Sequence, residues 1–367
     1  MVGCKPRYTT DRTSGKPIDS TGQSRLVCQI VCAHRPPPAI IAGVPQRGIS
    51  MHLQLRQPVH VATVSMLLLS PLACRAQKDW QPAPGHTEMP IWPGAIPDAV
   101  PVKGAEHDTG KDPGAPPAII AGKPLMRLGN VSTPTLTVYS PTTSNTGAAV
   151  VVFPGGGYQI LAIDLEGTEV CDWLTSSGIT CVLLKYRVPN TGPYPKSPAA
   201  LEDAQRAVGL VRQHAAEWKI DPHRVGVLGF SAGAHLAAAL GTHFDKRLYP
   251  PQDAADQLSC RPDFAFILYP GYLALEEKNF AANADIQPTA QNPPTFILQA
   301  ENDPVHIENS TVYFLQLKNA KVPAELHIYA EGGHGFGLRP TELPVTHWPK
   351  LAETWLQTIH MLTPSKP

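Results

Sequence analysis

From residue 131 onward, apolar runs of strand length, several of them apolar throughout, alternate with longer stretches of helical periodicity. The apolar runs are 135–139 (TLTVY), 148–153 (AAVVVF), 179–184 (ITCVLL), 225–230 (VGVLGF), 264–269 (FAFILY), 295–299 (TFILQ) and 325–329 (ELHIY). A strand with one wet face alternates apolar and polar residues, whereas several of these do not, which is the pattern of strands covered on both faces of a parallel sheet. Helical patterns fall between them at 164–177, 199–218, 232–243, 306–320 and 347–361. In the second, Leu201, Ala204, Ala207, Val208 and Val211 recur at three-to-four spacing while Glu202, Asp203, Gln205, Arg206 and Arg212 take the other faces, so one side is expected to stay wet. Regular alternation of this kind means an α/β fold with a mostly parallel central sheet and helices on both faces. The polar stretch within 271–293 breaks the rhythm and is expected to form an insertion or short lid, too small to be a domain.

The region before 131 looks different. The chain of 367 residues carries 40 prolines, concentrated towards its start, so 77–130 reads as a Pro-rich segment poor in regular structure, and the compact part is expected to begin near 130. Residues 1–50 have no periodic apolar pattern and read as a disordered or spurious extension. Met51 then opens a stretch with the layout of an export signal: Arg56 and two histidines, a mostly apolar run from Val61 to Ala73, and Cys74-Arg75-Ala76 as a small-x-small cleavage site. Export after cleavage near Ala76 is the expectation, with 131–367 as the folded α/β domain. Residues 1–76 hold 9 Lys/Arg against 2 Asp/Glu, which leaves the remainder mildly acidic, without a basic field for nucleic acid. No apolar run reaches the ~18 residues of a membrane-spanning helix. Cys171, Cys181 and Cys260 are an odd set beyond the leader and are expected as core residues without a disulfide framework. The heptapeptide PPAIIAG occurs twice, at 37–43 and 116–122, too short to be a domain repeat.

Four junctions carry chemistry. Gly229-Phe230-Ser231-Ala232-Gly233 joins an expected strand to an expected helix, where small neighbours permit the sharp turn that exposes a serine hydroxyl and a helix N-terminus meets developing negative charge. Taken alone, such a serine serves equally well as a helix cap. Pro154-Gly155-Gly156-Gly157-Tyr158 follows strand 148–153 and offers main-chain N–H groups to an oxyanion; no Gly-Lys-Ser/Thr follows, which disfavours a phosphate loop. Asp303 follows strand 295–299, with Glu301 as a competing acid, and the glycine-flanked His334 follows strand 325–329. The order Ser, Asp, His, each after its own strand, turns four individually weak signals into a hydrolase site. Asp164-Leu165-Glu166-Gly167 is expected to cap the next helix, with contact to a sugar hydroxyl as the alternative. Tyr158 is a candidate wall of the acyl pocket. HExxH is absent and the other histidines lack ligand spacing, so no metal and no cofactor is expected.

The words FPGGGY (153–158), LAIDLEG (161–167), LLKYRV (183–188), DAQRA (203–207), W-x-IDP-x-RVGV-x-GFSAG (218–233), ENDPV (301–305) and GGHGFGL (332–338) make residues 135–356 resemble the α/β-hydrolase superfamily, and within it bacterial exported esterases similar to acetyl xylan esterases. The chain departs from the hormone-sensitive-lipase pattern, which has a histidine at the place of Pro154 and an acid at that of Phe230. The resemblance implies Ser231 as nucleophile, His334 as base and Asp303 as acid, with the N–H groups of Ala232 and of Gly155, Gly156 and Gly157 as oxyanion donors. It implies a small-molecule or oligosaccharide acetyl ester as substrate. A serine exopeptidase of the prolyl-oligopeptidase type and a non-catalytic binder of the same fold are the alternatives.

Overall fold

The computed structural model describes residues 79–99 and 101–362. The readings of 1–50 as an extension and 51–76 as an export signal therefore lie outside the described residues.

Eight strands form one sheet: β1 (Glu88–Pro90), β2 (Thr135–Tyr139), β3 (Ala149–Phe153), β4 (Thr180–Lys185), β5 (Val225–Phe230), β6 (Ala265–Leu268), β7 (Thr295–Ala300) and β8 (Ala324–Tyr329). Their order is β1-β2-β4-β3-β5-β6-β7-β8. β2 runs antiparallel to both neighbours, and every other pairing is parallel. Each of the seven strands expected from the sequence is present to within one residue at either end. Every residue of β3, β4, β5, β6 and β7 is buried, which is why those strands show no polar alternation. The helices are α1 (Glu169–Ser176), α2 (Ala199–Gln213), α3 (Ala232–Thr242), α4 (Glu308–Asn319) and α5 (Trp348–Thr358).

This order decides where a ligand can go. The chain leaves β3 for β4 on one side and returns to β5 on the other, so a crevice opens beyond the C-terminal ends of β3 and β5, the usual ligand position in an open parallel sheet. The glycine loop and Ser231 follow those two strands.

Three expectations are corrected. The compact part begins before 130: β1 adds an edge strand, and Trp80, Ile91, Trp92 and Leu128 are buried in the common core. This segment escapes periodicity because its elements are two or three residues long and its anchors are side-chain bonds to distant partners. The polar face of α2 is likewise not wet. Glu202, Asp203, Gln205 and Arg206 are all buried, because the N-terminal segment and the stretch after α3 lie over them. Arg187 Nε donates to Asp203 at 2.9 Å, Arg206 Nε donates to the Ile91 carbonyl at 2.9 Å, and Gln205 donates to the carbonyls of His243 and Lys246. Finally, Cys171 of α1 and Cys181 of β4 form a disulfide with Cα atoms 5.1 Å apart, leaving Cys260 as a buried free thiol. The odd count hid this pair, which the return of the chain from α1 into β4 brings face to face.

The second PPAIIAG copy supplies the first strand and turn of a small hairpin, Ile119–Ile120 against Lys123–Pro124 just beyond it. The carbonyls of Ile120, Lys123 and Pro124 accept from Arg339, so the hairpin holds the segment that follows His334.

Candidate active site

Ser231 stands between β5 and α3 at φ +52° and ψ −116°, in a region that side-chain-bearing residues rarely occupy. Such a turn is the strained strand-to-helix elbow that lifts a serine out of the sheet. Its N–H donates to the Leu268 carbonyl at 3.0 Å. The flanking glycines are required by contact, since a Cβ on Gly229 would sit 2.0 Å from the Gly233 carbonyl oxygen and one on Gly233 would sit 2.0 Å from that of Phe153.

His334 reaches the elbow from the loop after β8, with Nε2 2.9 Å from Ser231 Oγ. Its Nδ1 lies 2.9 and 3.0 Å from the two oxygens of Asp303. Asp303 is buried and held by two donors, Gln299 Nε2 at 3.0 Å and the Val305 N–H at 2.7 Å. A carboxylate on Nδ1 keeps the proton there, which turns the Nε2 lone pair towards the serine hydroxyl. Glu301, the competing acid, is exposed, and the carboxylate that meets His334 is that of Asp303. Asn302 accepts from the N–H groups of Gly332 and Gly333, tying the acid loop to the histidine loop.

The glycine loop needs one correction. The Gly155 N–H donates to Glu166 Oε2 at 2.7 Å behind the loop and is committed there, so it does not serve the cleft. Ala232, first residue of α3, has an N–H that no helical carbonyl can take.

The word Asp164-Leu165-Glu166-Gly167 is not a side-chain cap. It forms a π turn leading into α1, in which Asp164 accepts from the Met126 N–H and from Arg339. Glu166 is buried, and its Oε1 accepts from the Tyr269 hydroxyl at 2.8 Å. Burial pushes its carboxyl above the usual carboxylate range, against the pull of those two hydrogen bonds.

Tyr158 does not wall the acyl pocket. It is buried, its hydroxyl lies 2.9 Å from His235 Nδ1, and its ring packs against Tyr186 and Tyr272. His235, one helical turn after Ser231, is fully buried, and burial pulls its imidazole down to about 3. The cleft is faced instead by Tyr272, at the start of the insertion and 38% exposed, together with Phe280 further along it. Sequence reasoning missed it because nothing local marks an aromatic residue in a polar insertion.

Ser231 opens into a cleft of about 420 Å³ between Gly157 and Tyr272. The insertion, with its short pair Ala274–Leu275 and Ala281–Ala282, contributes Leu275, Glu276, Glu277 and Phe280, and the acid loop contributes Pro304, Val305 and His306.

Residues 136–260 match the family described as BD-FAE, and residues 200–357 match the prolyl oligopeptidase family. The crystal structure of an acetyl ester-xyloside bifunctional hydrolase from Caldicellulosiruptor lactoaceticus is 34% identical and superposes with a TM-score of 0.58, covering 75% of this chain and 97% of that one. The chain belongs to the α/β hydrolases, in their xylan-esterase-like group. This hydrolase is also 31% identical over 216 residues to the acetylxylan esterase of Xylanibacter ruminicola and 30% identical over 204 residues to endo-1,4-beta-xylanase B of Butyrivibrio fibrisolvens. Those matches cover 52% and 51% of the α/β hydrolase described here, which spans only 41% and 32% of the length of these two curated relatives.

Proposed function

We propose that this α/β hydrolase is a serine esterase that removes short acyl groups, acetyl first, from acetylated sugars or xylan oligosaccharides. The observation that carries the reading is the unbroken relay from Asp303 through His334 to Ser231 Oγ, opening into a solvent-accessible cleft. Ser231 attacks the ester carbonyl while His334 Nε2 takes its proton, and Asp303 holds the imidazole and balances the imidazolium. The charge that develops on the carbonyl oxygen falls to the N–H groups of Gly156, Gly157 and Ala232. His334 then gives its proton to the departing alcohol, and water repeats the sequence on the acyl-enzyme. A sugar alcohol suits a cleft walled by Tyr272 and Phe280 with Glu276, Glu277 and His306 at hand, since such a wall combines ring faces with hydroxyl partners.

The reading of 51–76 as a removable export signal belongs to the same proposal. A buried disulfide in the core is consistent with an oxidising compartment, and no helix among the described residues is long and apolar enough to cross a membrane.

The test is kcat/KM for acetyl, butyryl and octanoyl nitrophenyl esters together with acetate release from acetylated xylan. The residues that line the cleft mix Tyr272, Leu275, Phe280 and Val305 with Glu276, Glu277, His306 and Asn309, a wall on which a long acyl chain gains little of the ~0.8 kcal/mol per buried methylene, so acetyl is expected to lead and octanoyl to trail. An octanoyl optimum overturns the short-acyl reading. Turnover of an aminoacyl anilide in preference to every ester makes the chain a peptidase, and no turnover of any of them makes it a binder.

A further inference from the structure

Glu166 lies behind the reacting centre and is not used by the mechanism above. The residue is 3% exposed and both carboxylate oxygens are occupied, Oε2 by the Gly155 N–H at 2.7 Å and Oε1 by the Tyr269 hydroxyl at 2.8 Å. The Tyr269 oxygen in turn receives the Gly337 N–H at 3.2 Å, so its own hydrogen points at Glu166. The Tyr269 ring stands edge-on to His334 with centroids 5.1 Å apart. One carboxylate therefore joins three loops: the glycine loop after β3, the turn after β6 and the segment that follows His334.

The effect on the glycine loop is directional. The Gly155 carbonyl accepts from Ala162 at 3.0 Å and the Gly156 carbonyl accepts from Gln159 at 2.9 Å, so these carbonyls are tied back into the loop's own turn. With the Gly155 N–H also tied back by Glu166, the donors left for the cleft are those of Gly156 and Gly157. The grip is close to the nucleophile: a Cβ built on Gly155 would lie 2.7 Å from Glu166 Oε2 and 2.9 Å from the Ser231 Cβ. An acid–base role does not fit a buried carboxylate with both oxygens already accepting.

We propose that Glu166 is a positioning residue, whose hydrogen bonds to Gly155 and Tyr269 hold the glycine loop where its next two N–H groups meet the transition-state oxyanion. The proposal rests on the reading of Ser231 as nucleophile. It deepens that reading by assigning oxyanion geometry to a side chain that never touches substrate.

The experiment compares Glu166→Ala, Glu166→Gln and Tyr269→Phe with the wild type in the full chain, measuring kcat and KM for nitrophenyl acetate and Ki for a trifluoromethyl ketone. A loop displaced by about 1 Å costs on the order of 10²-fold, and the cost falls on the transition state. Glu166→Ala is therefore expected to lower kcat about 100-fold with KM within about threefold, and to weaken the ketone by the same factor as kcat/KM. Glu166→Gln keeps an oxygen for the Gly155 N–H and sets its amide donor against the Tyr269 hydroxyl, whose hydrogen has to turn away, so the loop-side bond survives and the variant is expected to restore most of the activity. Tyr269→Phe, which removes only one anchor, is expected to fall between them, again with kcat/KM and ketone affinity moving together. Should Glu166→Ala fail to fold, Tyr269→Phe and Glu166→Gln still decide. Wild-type kcat in a folded Glu166→Ala, loss of kcat without loss of ketone affinity in any variant, or a Gln variant as impaired as the Ala variant overturns the proposal. A wild type inactive on all esters fails the esterase reading instead, which keeps the two failures apart.

Discussion

Trp92 Nε1 donates to Asp203 Oδ1 at 2.9 Å, across 111 residues of chain. Asp203 sits in the second turn of α2, and its carboxylate also accepts from the backbone N–H and Nε of Arg187, so an N-terminal tryptophan, the turn after β4 and a helix meet at one buried group. Arg187 completes the cluster through Glu202 and the Ala199 carbonyl.

Removing that carboxylate strands its partners. Asp203→Ala leaves the Arg187 guanidinium, whose side chain is 6% exposed, without its main counter-ion and leaves the Trp92 indole unpaired. Breaking a buried pair from one side costs about 3–5 kcal/mol, so the midpoint of urea unfolding is expected to fall sharply. Asp203→Asn keeps an acceptor and should lose less. Equal stability of Asp203→Ala and wild type would mean that the cluster contributes nothing net.

The same bond sets how much of the N-terminus the fold needs. A chain that starts at Gln77 retains Trp80, Trp92 and β1 and is expected to match the full chain in thermal midpoint and ester hydrolysis. A chain that starts at 131 exposes Asp203 and Arg206 and deletes an edge strand, and it is expected to be insoluble or to melt well below the longer one. The signal reading of 51–76 loses its footing if the Gln77 chain does not fold.

The relay at the nucleophile makes its own prediction. Ser231→Ala and His334→Ala are expected to lower kcat by about 10⁴-fold or more, and Asp303→Asn, which favours the wrong imidazole tautomer, by a smaller or comparable factor. An organophosphate should add to Ser231 alone. Labelling at another serine, or unchanged turnover in Ser231→Ala, would contradict the assignment.

Buried His235 predicts part of the acid sensitivity. Burial lowers its folded value to about 3 from 6.5, with the charge on His243 acting in the same direction. Between those values the unfolded chain binds a proton that the folded chain refuses, so stability rises with pH across the window and is lost as pH falls from about 6.5 towards about 3. From pH 7 to pH 5 the loss is on the order of 2 kcal/mol. His235→Asn removes this slope, so its deficit relative to wild type should shrink on acidification. The comparison of variant with wild type cancels the opposite contribution of Glu202, whose carboxyl burial raises to about 7. Urea unfolding of both proteins at pH 7 and pH 5 measures it, and parallel losses would acquit His235.

What the sequence by itself determined were the features whose cause is local. Strand runs without polar alternation follow from coverage on both faces, the G-x-S-x-G turn follows from the contacts of Gly229 and Gly233, and Ser231, Asp303 and His334 were each legible because each stands just past the end of its own strand. Tertiary structure decided everything whose partner is remote. Gly155 reads as one more oxyanion donor until Glu166 takes its N–H, and Tyr158 reads as a pocket wall until His235 draws it inward. The polar face of α2 reads as wet until Trp92 and Ile91 arrive from more than a hundred residues away, and β1 has too few residues to show a period. Periodicity and turn chemistry report what a residue does to its own backbone. Which buried polar group meets which depends on how the chain crosses the sheet, and that is fixed only when the whole core closes.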